Sequence, residues 1–165
     1  MARIKPAQPL IPSVLDRLLD DEPNVRSEPP AGRNQVLREL IRAVRRDMEN
    51  LLNTRTRCMS WPPEQKELRQ SLVNYGVPDF TGANMASARD REEFCRVVQA
   101  VIRQHEPRFK TVKVQLLDNS EPLDRTLRFR IDALLQADPA PEPIVFSSTL
   151  KPVTGAFEVK GGTDE

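Results

Sequence analysis

Hydrophobic residues follow a helical spacing in the first two thirds of the chain and a strand spacing in the last third. Between residues 36 and 52 the apolar positions recur every three or four residues, which predicts one long amphipathic helix. A second amphipathic helix is predicted to start near Asp90, because Asp90 and Glu93 have the spacing of a capping box. It should end before Pro107, since the residue before a proline is pushed out of the helical region. A shorter helix is predicted over Glu64–Val73.

From residue 110 onward apolar and polar residues alternate, a pattern typical of strands with one buried face and one solvated face. The predicted strands are Lys110–Asp118, Thr126–Leu135, Ile144–Leu150 and Ala156–Lys160. Helices followed by such a meander predict an α+β fold, in which N-terminal helices pack on a small C-terminal antiparallel sheet of three to four strands. The last strand ends the meander, so its edge is expected to offer unpaired backbone groups to a partner.

The region before the long helix carries a short amphipathic segment between proline-rich stretches. The predicted divisions are a flexible arm, a docking helix, a linker, a single α+β domain and a frayed tail, over residues 1–12, 13–23, 24–32, 33–160 and 161–165. The docking helix has an apolar face formed by Val14, Leu15, Leu18 and Leu19. Because so short a helix is unstable alone in water, it needs a surface to pack on. That surface is either its own domain or a partner protein, and the pattern leaves both open.

Charge and hydropathy exclude several classes of protein. Lys and Arg total 25 against 24 Asp and Glu, and a net charge of +1 argues against a dedicated nucleic-acid binder. No apolar run reaches the ~18 residues that a membrane-spanning helix requires, and no apolar segment of signal-peptide length is present. The chain is therefore expected to stay in the cytoplasm.

Catalytic and metal-binding chemistry finds little support in the sequence. Cys58 and Cys95 are too few for a disulfide framework, and the single His105 argues against a His-rich metal site. Cys95 and His105 lie about 15 Å apart along one predicted helix, too far for a nucleophile–base contact. No phosphate-binding, hydrolase or metalloprotease motif is present. A lysozyme-like cleft is disfavoured because only one Trp and one Tyr could stack sugar rings. No cofactor, metal or catalytic residue is predicted.

The junction between the last helix and the first strand places two charges beside a proline. Pro107 stiffens the backbone between Glu106 and Arg108, so the two side chains are expected to splay from a rigid corner. A charged pair held in this way suits bidentate recognition of a partner's Arg and carboxylate groups. An internal salt bridge that pins the helix to the sheet is the other interpretation, and residue types alone favour it.

Five segments, in the same order, resemble the TssE family of baseplate wedge subunits of type VI secretion systems, bacterial relatives of a wedge protein in contractile phage tails. They are Pro12–Leu18 (PSVLDRL), Leu51–Arg55 (LLNTR), Ser71–Phe80 (SLVNYGVPDF), Glu106–Arg108 (EPR) and Leu127–Ala133 (LRFRIDA). The similarity runs from about Pro9 to Val159. It departs from the family pattern at Phe109, where Leu is expected, and over Cys58–Pro63, which matches no part of it.

The resemblance implies a non-enzymatic part of a secretion baseplate, which links the wedge subunits TssF and TssG to the contractile sheath and helps to start its polymerisation by TssB and TssC. It implies partner contacts at Glu106, Pro107 and Arg108. The short helix is expected, from its apolar face, to dock through Leu15, Leu18 and Leu19 on subunits resembling TssF and TssG or on its own domain. The expected location is cytoplasmic, at a baseplate docked near the inner membrane, without a cofactor, nucleic acid or direct membrane insertion.

Two alternatives belong to other classes of protein. One is a lysozyme-like cell-wall hydrolase, a label often given to this family, although the carboxylates give it no support. The other is an adaptor or anti-adaptor of the same fold that binds a signalling regulator.

Overall fold

The computed structural model of the chain describes residues 14–19, 24, 32–57, 62, 64–80, 87–117, 126–137, 140–151 and 154–161. Within them the helices are α1 (Val14–Leu18), α2 (Arg33–Asn53), α3 (Lys66–Gln70) and α4 (Ala88–His105), with a 3₁₀ turn at Leu72–Asn74. The strands are β1 (Phe109–Leu117), β2 (Leu127–Leu135), β3 (Glu142–Lys151) and β4 (Ala156–Gly161). Helices followed by a sheet confirm the α+β prediction. Cys58 and residues 13 and 20–23 of the predicted docking helix lie outside the described part.

Helices α2 and α4 form because each buries one apolar stripe. The buried positions of α2 recur at the predicted spacing: Leu40, Ile41, Ala43, Val44, Met48, Leu51 and Leu52. The capping-box prediction for α4 is wrong, since the N-cap is Ser87 and Asp90 lies inside the first turn. There the Asp90 carboxylate suits the positive end of the helix dipole. The predicted end of α4 before Pro107 is confirmed, because its last residue is His105.

The predicted helix over Glu64–Val73 is interrupted, so its continuity is wrong. Ser71 adopts an extended conformation, with φ −84° and ψ 166°, between α3 and the 3₁₀ turn. Its hydroxyl oxygen accepts a hydrogen bond from the backbone N–H of Val73 at 3.4 Å. A serine side chain that bonds nearby backbone competes with helix continuation, which explains the break.

The sheet is an antiparallel meander in the order β1-β2-β3-β4. Its register places Ile131 opposite Val114 on one side and opposite Phe146 on the other. Because side chains alternate between the two faces of a strand, these residues share one buried face. Helix α4 packs along β1 and α2 packs along β4, so both helices cover that face.

Phe94 of α4 is the centre of the aromatic core. Its ring lies edge-to-face with Phe80 at 4.9 Å and with Phe129 at 5.6 Å, and it stacks parallel to Phe157 at 6.5 Å. Aromatic pairs of this geometry add to the stabilisation that comes from burial alone. Phe94 therefore ties α4 to β2 and β4 at once.

A short pairing joins the end of α2 to the segment after the 3₁₀ turn. Arg55 and Val77 form an isolated parallel bridge. Between them Gly76 has φ +111°, and a Cβ on it would lie 2.4 Å from the carbonyl oxygen of Thr54. Only glycine fits there. The pairing brings Tyr75 close to the end of α4.

Candidate partner-binding site

The Glu106–Pro107–Arg108 corner is closed by its own charges. Glu106 caps the C-terminus of α4 and is only 4% exposed. Arg108 Nε donates to Glu106 Oε1 at 2.6 Å, Arg108 Nη2 donates to Oε2, and the Arg108 backbone N–H donates to Oε1 at 3.2 Å. The expectation that Pro107 holds the two side chains apart is therefore wrong. A buried carboxylate is costly without a cation, so the guanidinium folds back over the corner to pair with it.

Helix α2 contributes a second carboxylate to the same guanidinium. Arg108 Nη2 donates to Asp47 Oδ2 at 2.7 Å, although the two residues are far apart in the sequence. Burial lowers the pKa of Arg108, but the hydrogen bonds and charges of Glu106 and Asp47 more than offset it and leave the pKa raised. The guanidinium is thus fixed in its charged form and braces the α4–β1 corner against α2.

The ionic contacts continue from Asp47 to the N-terminal helix. Arg46 Nη2 lies 3.1 Å from Asp47 Oδ1 and 2.7 Å from Asp16 Oδ1. The hydrogen bond to Asp16 is the largest cause of the raised pKa of Arg46. Asp16, Arg46, Asp47, Arg108 and Glu106 therefore form one continuous set of contacts, called here the ionic chain, that runs from α1 to the corner.

Tyr75 and His105 flank the corner on the side of α4. Their rings meet edge-to-face with centroids 5.2 Å apart. Burial raises the pKa of Tyr75, and the negative charges of Asp47 and Glu106 raise it further. The charges of Asp47 and Glu106 therefore act on the Tyr75 phenol, which is not itself a member of the ionic chain.

Helix α1 turns its apolar face away from the domain. Leu15 is 55% exposed and Leu18 is 75% exposed, and Val14 and Leu19 are also exposed. An ion pair between Asp16 and Arg46 joins α1 to α2. More than half of each of these apolar side chains is open to solvent in the free chain.

The structure thus brings the two sets of predicted site residues to the two ends of the ionic chain. Sequence reasoning missed its middle members, Arg46 and Asp47. Asp47 borders the apolar stripe between Val44 and Met48, and an acidic residue beside a buried stripe is a signal for a partly buried ion pair.

The β1 edge of the sheet is covered by α4. Arg103 Nη2 donates to the carbonyl of Val112 at 3.0 Å, and the N–H of Val114 donates to Gln99 Oε1 at 3.2 Å. Cys95 lies one turn before Gln99 in α4. Burial raises the pKa of its thiol, and a hydrogen bond with the backbone of Leu116 lowers that pKa by a smaller amount. Four residues of a helix and two residues of a strand each span about 6 to 7 Å. Side chains on successive turns of α4 therefore reach successive outward positions of β1.

The β4 edge is covered by α2 at only one position. Asn53 Nδ2 donates to the carbonyl of Phe157 at 2.9 Å, and the N–H of Phe157 donates to Asn53 Oδ1 at 2.9 Å. Arg55 also reaches this end of the strand, where it bonds the carbonyl of Gly155 and lies 5.5 Å from the centre of the Phe157 ring. The predicted open edge is therefore capped at its start, which the sequence did not indicate.

The described residues contain neither a cluster of three or more His, Cys, Asp or Glu side chains able to hold a metal ion, nor a helix long and apolar enough to cross a membrane. An open groove of about 540 Å³ lies between α4 and β1, lined by Ala88, Arg91, Glu92, Cys95, Arg96, Val114 and Leu116. Its thiol, with a raised pKa, is a poor nucleophile.

The fold and the site define a small α+β domain whose predicted site residues lie in the corner and on α1. The chain belongs to the baseplate wedge protein gp25 family, whose model matches residues 38–140. That range runs from α2 through the corner to the end of β2, and it confirms the resemblance seen in the sequence.

Two known proteins are similar to parts of the chain. The anti-adapter protein IraD of Salmonella arizonae is 31% identical over 70 residues, which cover 42% of this chain. The match spans about half of that relative, 53% of its length. A chain in the baseplate complex from the type VI secretion system is 19% identical, with a TM-score of 0.49, and the alignment covers 70% of this chain and 97% of that one.

Proposed function

We propose that this chain is a non-enzymatic structural subunit of a type VI secretion baseplate, which links the other wedge subunits to the contractile sheath and helps to start sheath polymerisation. Membership of the baseplate wedge protein gp25 family is the observation that carries the proposal. The proposed partners are wedge subunits resembling TssF and TssG and sheath subunits resembling TssB and TssC. The subunit acts in the cytoplasm, at a baseplate near the inner membrane.

The corner meets the wedge subunits through Pro107 and Arg108, while Glu106 orients Arg108 from beneath. Pro107 is exposed and the Arg108 side chain is 24% exposed, whereas Glu106 is buried. Within the described part of the chain, Nη1 of Arg108 is buried and has no hydrogen-bond acceptor. A partner would instead contact the exposed part of the Arg108 side chain, since Nη1 itself lies beneath the surface of the free chain.

Helix α1 docks through Leu15, Leu18 and Leu19 in an apolar groove of a wedge subunit. Burial of one leucine side chain stabilises a complex by about 1.5–3 kcal/mol, and three exposed leucines on one short helix therefore offer substantial affinity. The pattern fits recognition of an amphipathic helix by a groove. The sheath contact is proposed at β4, by addition of an extended segment to its edge.

Co-purification of the full chain with the cognate wedge and sheath subunits tests the proposal. Replacing Leu15 and Leu18 by Ser should abolish recovery of the wedge subunits and leave the melting temperature within a few degrees of the parent, since both residues are exposed. Leu72→Ser is the matched control, because Leu72 is 83% exposed on the 3₁₀ turn and has no proposed partner. If the unmodified chain recovers neither wedge nor sheath subunits, the proposed function is wrong.

A second candidate function is that of an anti-adapter, and the 31% identity to IraD favours it. In that case the chain would bind a signalling regulator. A pull-down with the regulator in place of baseplate subunits separates the two functions. Peptidoglycan turnover that is lost when one Asp or Glu is replaced would instead contradict a non-enzymatic role.

A further inference from the structure

The side chain of Asn53 makes the same two hydrogen bonds to β4 that a neighbouring strand would make. Its amide N–H donates to the Phe157 carbonyl and its amide oxygen accepts from the Phe157 N–H, both at 2.9 Å. In an antiparallel ladder one residue exchanges this pair of bonds with the residue opposite. The Asn53 amide therefore stands where one peptide unit of a fifth strand would lie.

Within the extended part of β4, two residues direct their backbone groups toward this edge. They alternate along the strand, so Val159 follows Phe157 as the next outward position. Gly161 follows Val159 but has φ +95°, which ends the extended run. Among the described side chains none bonds the backbone of Val159, so the edge consists of one capped residue and one open residue.

The cap lowers the gain that a partner segment can draw from this edge. An incoming strand can form four hydrogen bonds, two with Phe157 and two with Val159, but the two bonds between Asn53 and Phe157 are lost when the amide leaves. Net contributions per hydrogen bond are small, so the loss of two of them weakens the binding of a flexible segment.

The β1 edge of the same sheet is closed by side chains of α4. There α4 supplies side-chain hydrogen bonds to two successive outward positions, Val112 and Val114. These two side chains must leave together, whereas at β4 a single amide carries both bonds to Phe157. The Asn53 Nδ2 also donates to the carbonyl of Glu49 at 2.9 Å, a bond within its own helix that does not involve β4. The difference assigns strand addition to β4 and not to β1.

We infer that Asn53 is a displaceable cap, which keeps the β4 edge closed in the free chain and leaves when an extended segment of a sheath subunit pairs with Phe157 and Val159. The inference rests on the proposed sheath contact at β4. The occupant is an extended backbone, because the groups on offer are backbone N–H and C=O. Its neighbours on the open face are Glu158 and Lys160, which pair with each other at 2.9 Å. A capped edge also protects the free chain from pairing with a second copy.

The test combines the variant Asn53→Ala with amide hydrogen exchange in the full chain, using purified cognate sheath subunits as the probe. In the free parent protein the Phe157 amide should exchange more slowly than the Val159 amide. In free Asn53→Ala the Phe157 amide should exchange at least tenfold faster than in the parent. Sheath subunits should bind Asn53→Ala roughly tenfold more tightly, since displacing the cap no longer costs about one to two hydrogen bonds.

Thr54→Ala is the matched control. Thr54 Oγ1 donates to the carbonyl of Asn50 at 2.7 Å at the same helix end, so its loss loosens α2 without touching β4. This variant should leave sheath binding unchanged. If Asn53→Ala and Thr54→Ala bind alike, while sheath subunits still protect the Val159 amide, the displaceable cap is wrong and the proposed sheath contact stands. If the parent binds no sheath subunit, or binds without protecting Val159, the sheath contact itself is wrong. Dimerisation of Asn53→Ala without tighter sheath binding would show that the uncapped edge binds a second copy of the chain and not a sheath segment.

Discussion

The Glu106–Arg108 corner and helix α1 lie at opposite ends of the ionic chain. Each departs from the usual distribution of side chains, in which charged residues are exposed and apolar residues are buried. At the corner a carboxylate is almost fully buried, whereas on α1 the leucines face solvent. Charged residues are seldom buried unless they are paired, and Glu106 meets this condition through Arg108. An exposed apolar patch, in contrast, is typical of a surface that a partner covers.

The difference concerns the stability of the free chain. The corner contributes to that stability, because removal of either charge leaves its partner buried. The leucines of α1 contribute less, since more than half of each side chain is exposed. Substitutions at the two ends should therefore differ in their effect on stability.

The largest effect is expected at the corner. Glu106→Ala leaves the Arg108 guanidinium partly buried with Asp47 alone, so the free energy of unfolding should fall by about 3–5 kcal/mol. Arg108→Ala should destabilise the chain for the same reason, as expected for an internal salt bridge. Denaturant unfolding measures both. Glu93→Ala is the control, because its pair with Arg96 is exposed and should contribute less than about 1 kcal/mol. Equal stability of Glu106→Ala and Glu93→Ala would show that the corner is no brace.

A smaller effect is expected where α1 meets α2. Asp16→Asn weakens the contact with Arg46, and a pair of this kind contributes about 1 kcal/mol or less to global stability. The local effect should be clearer, because the apolar side chains of α1 are mostly exposed. Amides of α1 should exchange several-fold faster in Asp16→Asn, while those of α2 and α4 keep the parent's rates. Unchanged exchange in α1 would mean that other contacts hold the helix.

The smallest effect concerns Tyr75 and appears only in alkaline solution. Its pKa is raised from 10.0, chiefly by burial and then by Asp47 and Glu106, so the folded chain keeps the phenol proton where the unfolded chain loses it. Stability should therefore decrease as the pH rises above about 10, since the unfolded state binds fewer protons there. Tyr75→Phe should make this decrease shallower. An identical slope in both proteins would assign the alkaline loss to other groups.

The elements themselves could be predicted from the sequence, because burial of one face imposes a period on each of them. The stripe of α2 and the alternation of β2 reproduce the observed elements to within a few residues. The errors occur at helix starts and breaks. Helix α4 begins at Ala88, ahead of Asp90, without a side-chain cap from Ser87, and the Ser71 side chain interrupts the predicted third helix.

The sequence by itself thus determined the α+β order of elements, the four strands and the proline that ends α4, because these depend on neighbours a few positions away. Only the tertiary structure decided how the charges and edges are used. Whether Arg108 reaches a partner or Glu106 depends on the depth of the corner, and Asp47 joins it only because α2 packs there. Asn53 likewise meets Phe157 through the packing of α2 along β4. Contacts between residues so distant in sequence carry no local period, so nothing in the pattern along the chain specifies them.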